Sequence, residues 1–274
     1  VRVESADFPG RARAALADAT LQHALEHIKH GFVEARAAAA ARLPGFEAMR
    51  DAARDLKAHT IANLAAYLER FETNVAALGG RVHWARDAEE ARRIVLGICT
   101  AAGARTVTKS KSMVTEEIEL NPFLEAHGIV PVETDLGEYI IQLRKERPSH
   151  IIAPVIHLSK EQVADTFHAE HPKYGFHRRL SERAEMVREA RAVLRERFVR
   201  ADVGITGANF LVAETGSAVI VTNEGNADLT ASLPDTHVVV TGIEKVVPTV
   251  ADCHLLLRLL PRSATGQDVT AYMS

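Results

Sequence analysis

Positions along the chain that favour burial follow two periods. Between residues 10 and 78 they recur at helical spacing: Leu16, Thr20, Leu21, Leu25 and Ile28 form one set, and Ile61, Leu64, Ala65, Leu68 and Phe71 another. Such stripes predict two packed amphipathic helices, broken at Pro44-Gly45. These helices either cover a sheet or reach toward a partner subunit. Gly79-Gly80 ends the second one, since glycine accepts the backbone that terminates a helix. Beyond it the pattern changes to short β-branched runs bounded by Gly, Asn or Pro. Residues 81–85, 105–108, 129–133, 151–155, 203–205, 217–222 and 237–241 read as strands. Helical spacing returns at 87–102, 115–127, 159–168 and 181–198, with Asp87 as an N-cap. Segment 165–179 is irregular and reads as a loop or lid.

Strands alternating with helices predict an α/β fold: a mostly parallel, doubly wound sheet with helices on both faces, preceded by the N-terminal helices. The expected organisation is a helical segment, 1–78, packed on an α/β core, 79–274. Composition narrows the functional classes without naming one. A net charge of −3 with 25% charged residues carries no nucleic-acid signature. No apolar run reaches the roughly 18 residues of a spanning helix, and a cytoplasmic location is the simple expectation. Cys99 and Cys253 are the two cysteines, far apart and read as small buried hydrophobes.

Candidate chemistry collects in polar turns at strand ends, where an α/β fold places its sites. Lys109-Ser110-Lys111-Ser112-Met113 follows a strand and precedes a helix, offering two ammonium groups and helix-start N–H groups to an anion. The same residues equally describe a solvated turn with Ser112 or Thr115 as N-cap, and Glu116 and Glu117 in the first helical turn. Glu214, beside Thr215 and Gly216, is a candidate nucleophile or general base, and equally a carboxylate that holds turn amides. With Glu224 on the adjacent turn, a site becomes the better reading for the pair. Asn223, Glu224, Gly225 and Asn226 supply amides, a carboxylate and a permissive glycine to a pocket, and also suit a tight turn. His157, at a predicted strand end, and Lys245, after another, are kept as ligand contacts. His168, His171 and His177 lack the spacing of a metal site, so surface or internally satisfied histidines are expected and no metal ligand is assigned.

The segments Ala213-Glu214-Thr215-Gly216-Ser217, Thr222-Asn223-Glu224-Gly225-Asn226 and Gly242-Ile243-Glu244-Lys245, in that order and with the 109–113 turn, resemble the LUD domain of bacterial lactate-utilisation iron–sulfur proteins. The resemblance runs from the N-terminal helices to Ser274. It implies the fold group of ribose-5-phosphate isomerase, glucosamine-6-phosphate deaminase and CoA transferases. It also implies a part in oxidising L-lactate to pyruvate with sister lactate-utilisation subunits, this domain binding a small anionic ligand. In the family, 4Fe-4S clusters are held after the LUD domain by C-x2-C-x2-C-x3-C-P runs, which two isolated cysteines cannot supply. No cofactor is therefore expected in this chain. It reads as a domain of a longer protein, with a stand-alone LUD domain as the other reading. Fold analogy leaves two further functions open: a CoA-transferase-like or sugar-phosphate isomerase-like enzyme using Glu214 or Glu224, and a non-catalytic assembly module.

Overall fold

The computed structural model describes residues 5–149 and 153–274. Its N-terminal third is helical: α1 (Phe8–Ala17), α2 (Ala19–Ile28), a π-helical turn Lys29–Val33, α3 (Glu34–Arg42), α4 (Phe46–Ala62) and α5 (Leu64–Ala77). Two helices were expected and five are found. The predicted break is where α4 begins, with Gly45 at φ 73°, a conformation that L side chains resist. α1 buries none of its residues. Phe46 and Ala53 of α4, by contrast, pack on Leu259, and Phe71 of α5 packs on Leu211, Ala213 and Val246.

The segment 81–85 is not the predicted strand. It runs back along α5, with Val82 in that helix's apolar cluster and the Trp84 indole N–H donating to Glu72 at 3.2 Å. α6 (Ala88–Ala101) follows, its Asp87 cap accepting the Glu90 N–H at 2.8 Å.

Strand β1 (Thr106–Lys109) leads to α7 (Met113–Glu117) and α8 (Leu120–Ala126), two short helices where one was expected. Glu119 breaks them apart at φ 53°. Then come β2 (Val130–Glu133), α9 (Leu136–Arg144), α10 (Lys160–Glu170), α11 (Arg183–Val199) and β3 (Val203–Thr206). Of the strand predicted at 151–155, Ile151 and Ile152 lie outside the described residues. Residues 154–157 form a turn, as Pro154 inside the apolar run favours. Of segment 165–179, expected as a loop or lid, α10 takes the part to Glu170 and a 3-10 turn His171–Tyr174 follows, while 176–179 are irregular; the His171 side chain is fully buried. There it stacks on Phe167 at 4.3 Å and lies 2.7 Å from Glu189.

The remaining elements are β4 (Phe210–Val212), β5 (Ser217–Val219), β6 (Val221–Thr222), α12 (Asn226–Ser232), β7 (Thr236–Val239), β8 (Val246–Val247), α13 (Val250–Thr265) and β9 (Tyr272–Met273). The run predicted as one strand over 217–222 is divided at Ile220, whose backbone exchanges hydrogen bonds with Ser274. The main sheet has four parallel strands in the order β2-β1-β3-β7. One face packs Val107, Val203 and Ile205 against Val95 and Cys99 of α6 and Leu120 and Leu124 of α8. On the other, α12 approaches so closely that a side chain at Gly204 would meet the Thr230 carbonyl. Val132 joins α9, α10 and α11 in a separate apolar cluster. The sheet is thus doubly wound, as the alternation predicts. A smaller sheet, β5-β4-β8, and the pair β6-β9 complete the fold. Among the described residues no helix is long and apolar enough to cross a membrane.

Candidate functional site

The chain leaves β1 toward one side to form β2 and returns on the other side to form β3. Between β1 and β3 the winding direction switches. Connecting loops diverge there, leaving a crevice at the carboxyl ends of the strands, the general ligand position of open α/β sheets. The turn after β1 occupies this place. Ser110 extends the ladder by donating its N–H to the Ile205 carbonyl at 2.9 Å. The Ser112 hydroxyl lies where a side chain at Gly207 would stand, so that glycine lets the turn cross the end of β3. Ser112 then caps α7, accepting the Thr115 N–H at 3.4 Å. Met113, the next residue, is exposed.

Lys109 is only 1% exposed. Its ammonium lies 2.8 Å from Glu133 Oε1 and donates to Thr115 Oγ1 at 3.1 Å. Lys109 and Glu133 are register partners on adjacent strands, so the sheet itself sets this pair. Asn121 Nδ2 donates to the same Glu133 oxygen at 2.6 Å. The Lys111 ammonium lies 3.7 Å from Glu138 Oε1, with 23% of its side chain exposed. Glu138 stands in the first turn of α9, where Asp135 accepts its N–H at 3.2 Å. Ser110, Ser112, Thr115, Glu133, Thr134 and Glu138 are all buried.

Two ammonium groups therefore face three carboxylates, Glu116, Glu133 and Glu138. The anion cradle expected from the lysines is already lined with internal carboxylates, and its excess charge is negative. Buried carboxylates respond to such crowding by holding protons. Burial first, then Glu116 and Glu133, push the Glu138 carboxyl up to about 7. Burial also raises Glu116, with the Glu133 charge adding to it and the two lysines opposing. Glu133 Oε2, Glu138 Oε1 and Glu116 Oε1 are buried without a hydrogen-bond partner, a costly condition unless a proton or ligand completes them.

A second predicted turn reaches the same place. Asn226 is buried, accepts the Thr222 hydroxyl at 3.0 Å and donates to Thr134 Oγ1 at 3.3 Å. Thr134 in turn donates to the Lys109 carbonyl at 3.1 Å. Glu224 is exposed along its side chain, but its carboxylate accepts the Leu136 N–H at the start of α9 at 3.3 Å. Partial burial there, then the charge of Asp135, raises its pKa. Gly225 supplies φ 69° at the start of α12. Asn223 faces outward, tying Gln267 and the Ala271 N–H at 3.2 Å each.

The other predicted residues lie elsewhere. Glu214 follows β4 of the smaller sheet; its carboxylate accepts the Val250 N–H at 3.0 Å, at the start of α13. The Thr215 hydroxyl donates to Ser217 at 2.9 Å. Gly216, at φ 73°, lies against the backbone of Asn74 and Val75, and Asn74 Nδ2 donates to the Ala213 carbonyl at 2.8 Å. Lys245 lines a cavity of about 350 Å³ with Lys57, Asn209, Phe210, Glu244 and Leu256. His157 lies between Ser149 (2.8 Å) and Glu146 (3.1 Å). Among the described residues no three His, Cys, Asp or Glu side chains converge as a metal site.

The sequence reading names none of Glu133, Glu138, Asn121 and Thr134 as site residues, and Glu116 enters it only as a first-turn acid. Two signals pointed to them: Glu133 ends its strand as Lys109 does, and Asp135-x-x-Glu138 is a helix start.

The sequence signature of the LUD domain matches residues 68–274. Lactate utilization protein B of Bacillus pumilus is 42% identical over all of this chain and 57% of its own length. The protein of the same name from Geobacillus thermodenitrificans is 48% identical over 84% of this chain and 48% of its own length. The chain thus spans about half the length of these curated relatives. No solved structure matches it.

Proposed function

The chain belongs to the LUD domain family, and we propose that it serves lactate utilisation by holding a small anionic ligand, a 2-hydroxy acid or its keto product, between β1 and β3. The observation that carries this reading is Lys111. Its ammonium makes no hydrogen bond among the described residues, is partly open to solvent, and stands at the switch point above a buried polar floor. A ligand carboxylate entering there meets one accessible cation. The neighbouring acids disfavour a second negative charge, so a monoanion with a hydroxyl or keto group fits better than a phosphate ester. Thr134, Asn226 and Asn121 supply neutral donors and acceptors close by. The relatives' names, which state lactate utilisation, support the same substrate class.

Electron transfer by iron–sulfur clusters is part of this reading, but not of these residues. Cys99 and Cys253 are buried, unpaired and in separate apolar clusters. Burial pushes both thiols up to about 11. Two inert thiols do not fit a cluster, which needs several close thiolates. On this reading the clusters are held in the part of the relatives' length that lies outside this chain, and the protein works with sister cytoplasmic subunits.

The test uses the protein at its relatives' full length, purified without oxygen and assembled with its sister subunits. Bound iron and acid-labile sulfide are expected, together with lactate-dependent reduction of an added dye. Lys111→Ala is expected to lower that rate at least about tenfold while iron content and folding stay unchanged, as for loss of one charge-assisted ligand contact. Wild-type turnover from this variant contradicts the proposed site, and absence of iron contradicts the electron-transfer role.

A further inference from the structure

The unsatisfied oxygens of the crevice define a missing proton. Glu138 is 4% exposed, and its Oε1 has no hydrogen-bond donor. Glu116 Oε1 is likewise buried and unpartnered. Both carboxyl groups feel the charge of Lys111, whose ammonium lies 3.7 Å from Glu138 Oε1. Two ionised carboxylates there repel and leave both orphan oxygens unpaired. A single proton turns one acceptor into a donor, removes the repulsion and balances the two ammonium groups of the cluster. The third carboxylate, Glu133, is not the partner, because Lys109 and Asn121 already hold it.

We propose that Glu116 and Glu138 share one proton whose affinity Lys111 sets, so that an anion neutralising Lys111 draws a proton into the crevice. The groups facing Glu138 are Glu116 from α7, Glu133 from β2, Lys111 from the turn after β1, and Asp135 at the start of α9. Lys109, from β1, acts on Glu116. Of those facing Glu138, Lys111 alone favours its ionised form. A ligand carboxylate on Lys111 cancels that influence, and the pair takes a proton from the buffer. No covalent bond changes. A proton moves from solvent to the carboxyl pair as the anion enters, and leaves when the anion leaves. The charge of the ligand is thereby admitted without adding net charge to a buried site. The anion is the ligand proposed above, and this second half of the inference rests on that reading.

The pair is tested first without ligand. Infrared spectra of the protein are recorded between about pH 6 and about pH 9, the range around a crowded carboxyl group. A protonated-carboxyl band that fades as pH rises is expected in the wild type. Glu138→Gln and, separately, Glu116→Gln should each abolish it. Lys111→Met should move its midpoint upward by about one pH unit or more, because the opposing cation is gone. Lack of a titrating band, or an unmoved midpoint in Lys111→Met, overturns the proposal. L-lactate is then titrated calorimetrically at pH 8 in phosphate and in Tris, which differ in ionisation heat. Uptake of about half to one proton per lactate is expected, and heats that do not depend on the buffer overturn the coupling. If lactate fails to bind in either buffer, the ligand reading above is wrong, and the band with its Lys111→Met shift decides the carboxyl pair alone.

Discussion

The turn after β1 and the turn after β4 are alike on paper. Each follows an apolar strand, each carries charged and hydroxyl residues, and each stands before or beside a helix start. In the folded chain they differ in what their polar groups have left to do. Around Glu214 the bonds are structural: the carboxylate accepts the first N–H of α13, Thr215 and Ser217 hold each other, and Gly216 admits the end of α5. Around Lys109 and Lys111 the cations and acids are buried together, three carboxylate oxygens lack partners, and two of the acids are pushed toward their neutral forms. Polar residues at a strand end do not distinguish a site from a joint. Unsatisfied buried groups at a topological switch point do.

The contrast is broken most severely at Lys109. Lys109→Met leaves Glu133 buried without its counter-charge, and a loss of about 3–5 kcal/mol is expected in denaturant unfolding. A loss below about 1 kcal/mol, the level of a surface pair, shows that the ion pair is not confined as described.

Glu138 gives a signed prediction. Its carboxyl is raised from 4.5 to about 7 in the fold. Between those values the folded chain keeps a proton that the unfolded chain has released. Its contribution to stability is therefore complete below about pH 4.5 and is lost as pH rises through about 7. Glu116 and Glu224 are shifted in the same direction. Unfolding free energies compared across this range should fall by on the order of 1–3 kcal/mol more in the wild type than in Glu138→Gln. Parallel curves rule out the shifted acid.

Changes in the second turn should cost stability only. Gly216→Ala places a methyl group 2.7 Å from the Val75 nitrogen at φ 73°, and about 2 kcal/mol of destabilisation is expected. Glu214→Gln keeps an acceptor for the Val250 N–H and removes only its charge, worth a few tenths of a kcal/mol. A change in ligand affinity from either variant blurs the distinction between the two regions.

Much of the fold was readable because β-branched runs ended at glycine, proline and capping residues. Val203, Ile205 and the Asp87 cap are examples. Three helices were not. α12 is built from small polar residues that suit a turn equally well. α9 and α13 start at Asp135 and Thr249, caps that the hydrophobic pattern alone passes over. Within the 151–155 run, the described residues from Pro154 form a turn, because proline removes a ladder donor. Of the candidate site, the lysines and Asn226 were visible as polar residues at strand ends. Their acidic partners were not, because Lys109 meets Glu133 only when β1 and β2 lie side by side in register. Strand order is long-range information, and no local pattern holds it.

The two turns are separated most directly by calorimetric titration of L-lactate into the wild type, Lys111→Met and Glu214→Gln under one buffer condition. Equal affinities for the wild type and Glu214→Gln are expected, with at least about a tenfold loss in Lys111→Met, the effect of removing a charge-assisted contact. Lactate bound undiminished by Lys111→Met but lost in Glu214→Gln would place the ligand at the other turn and contradict the assignment.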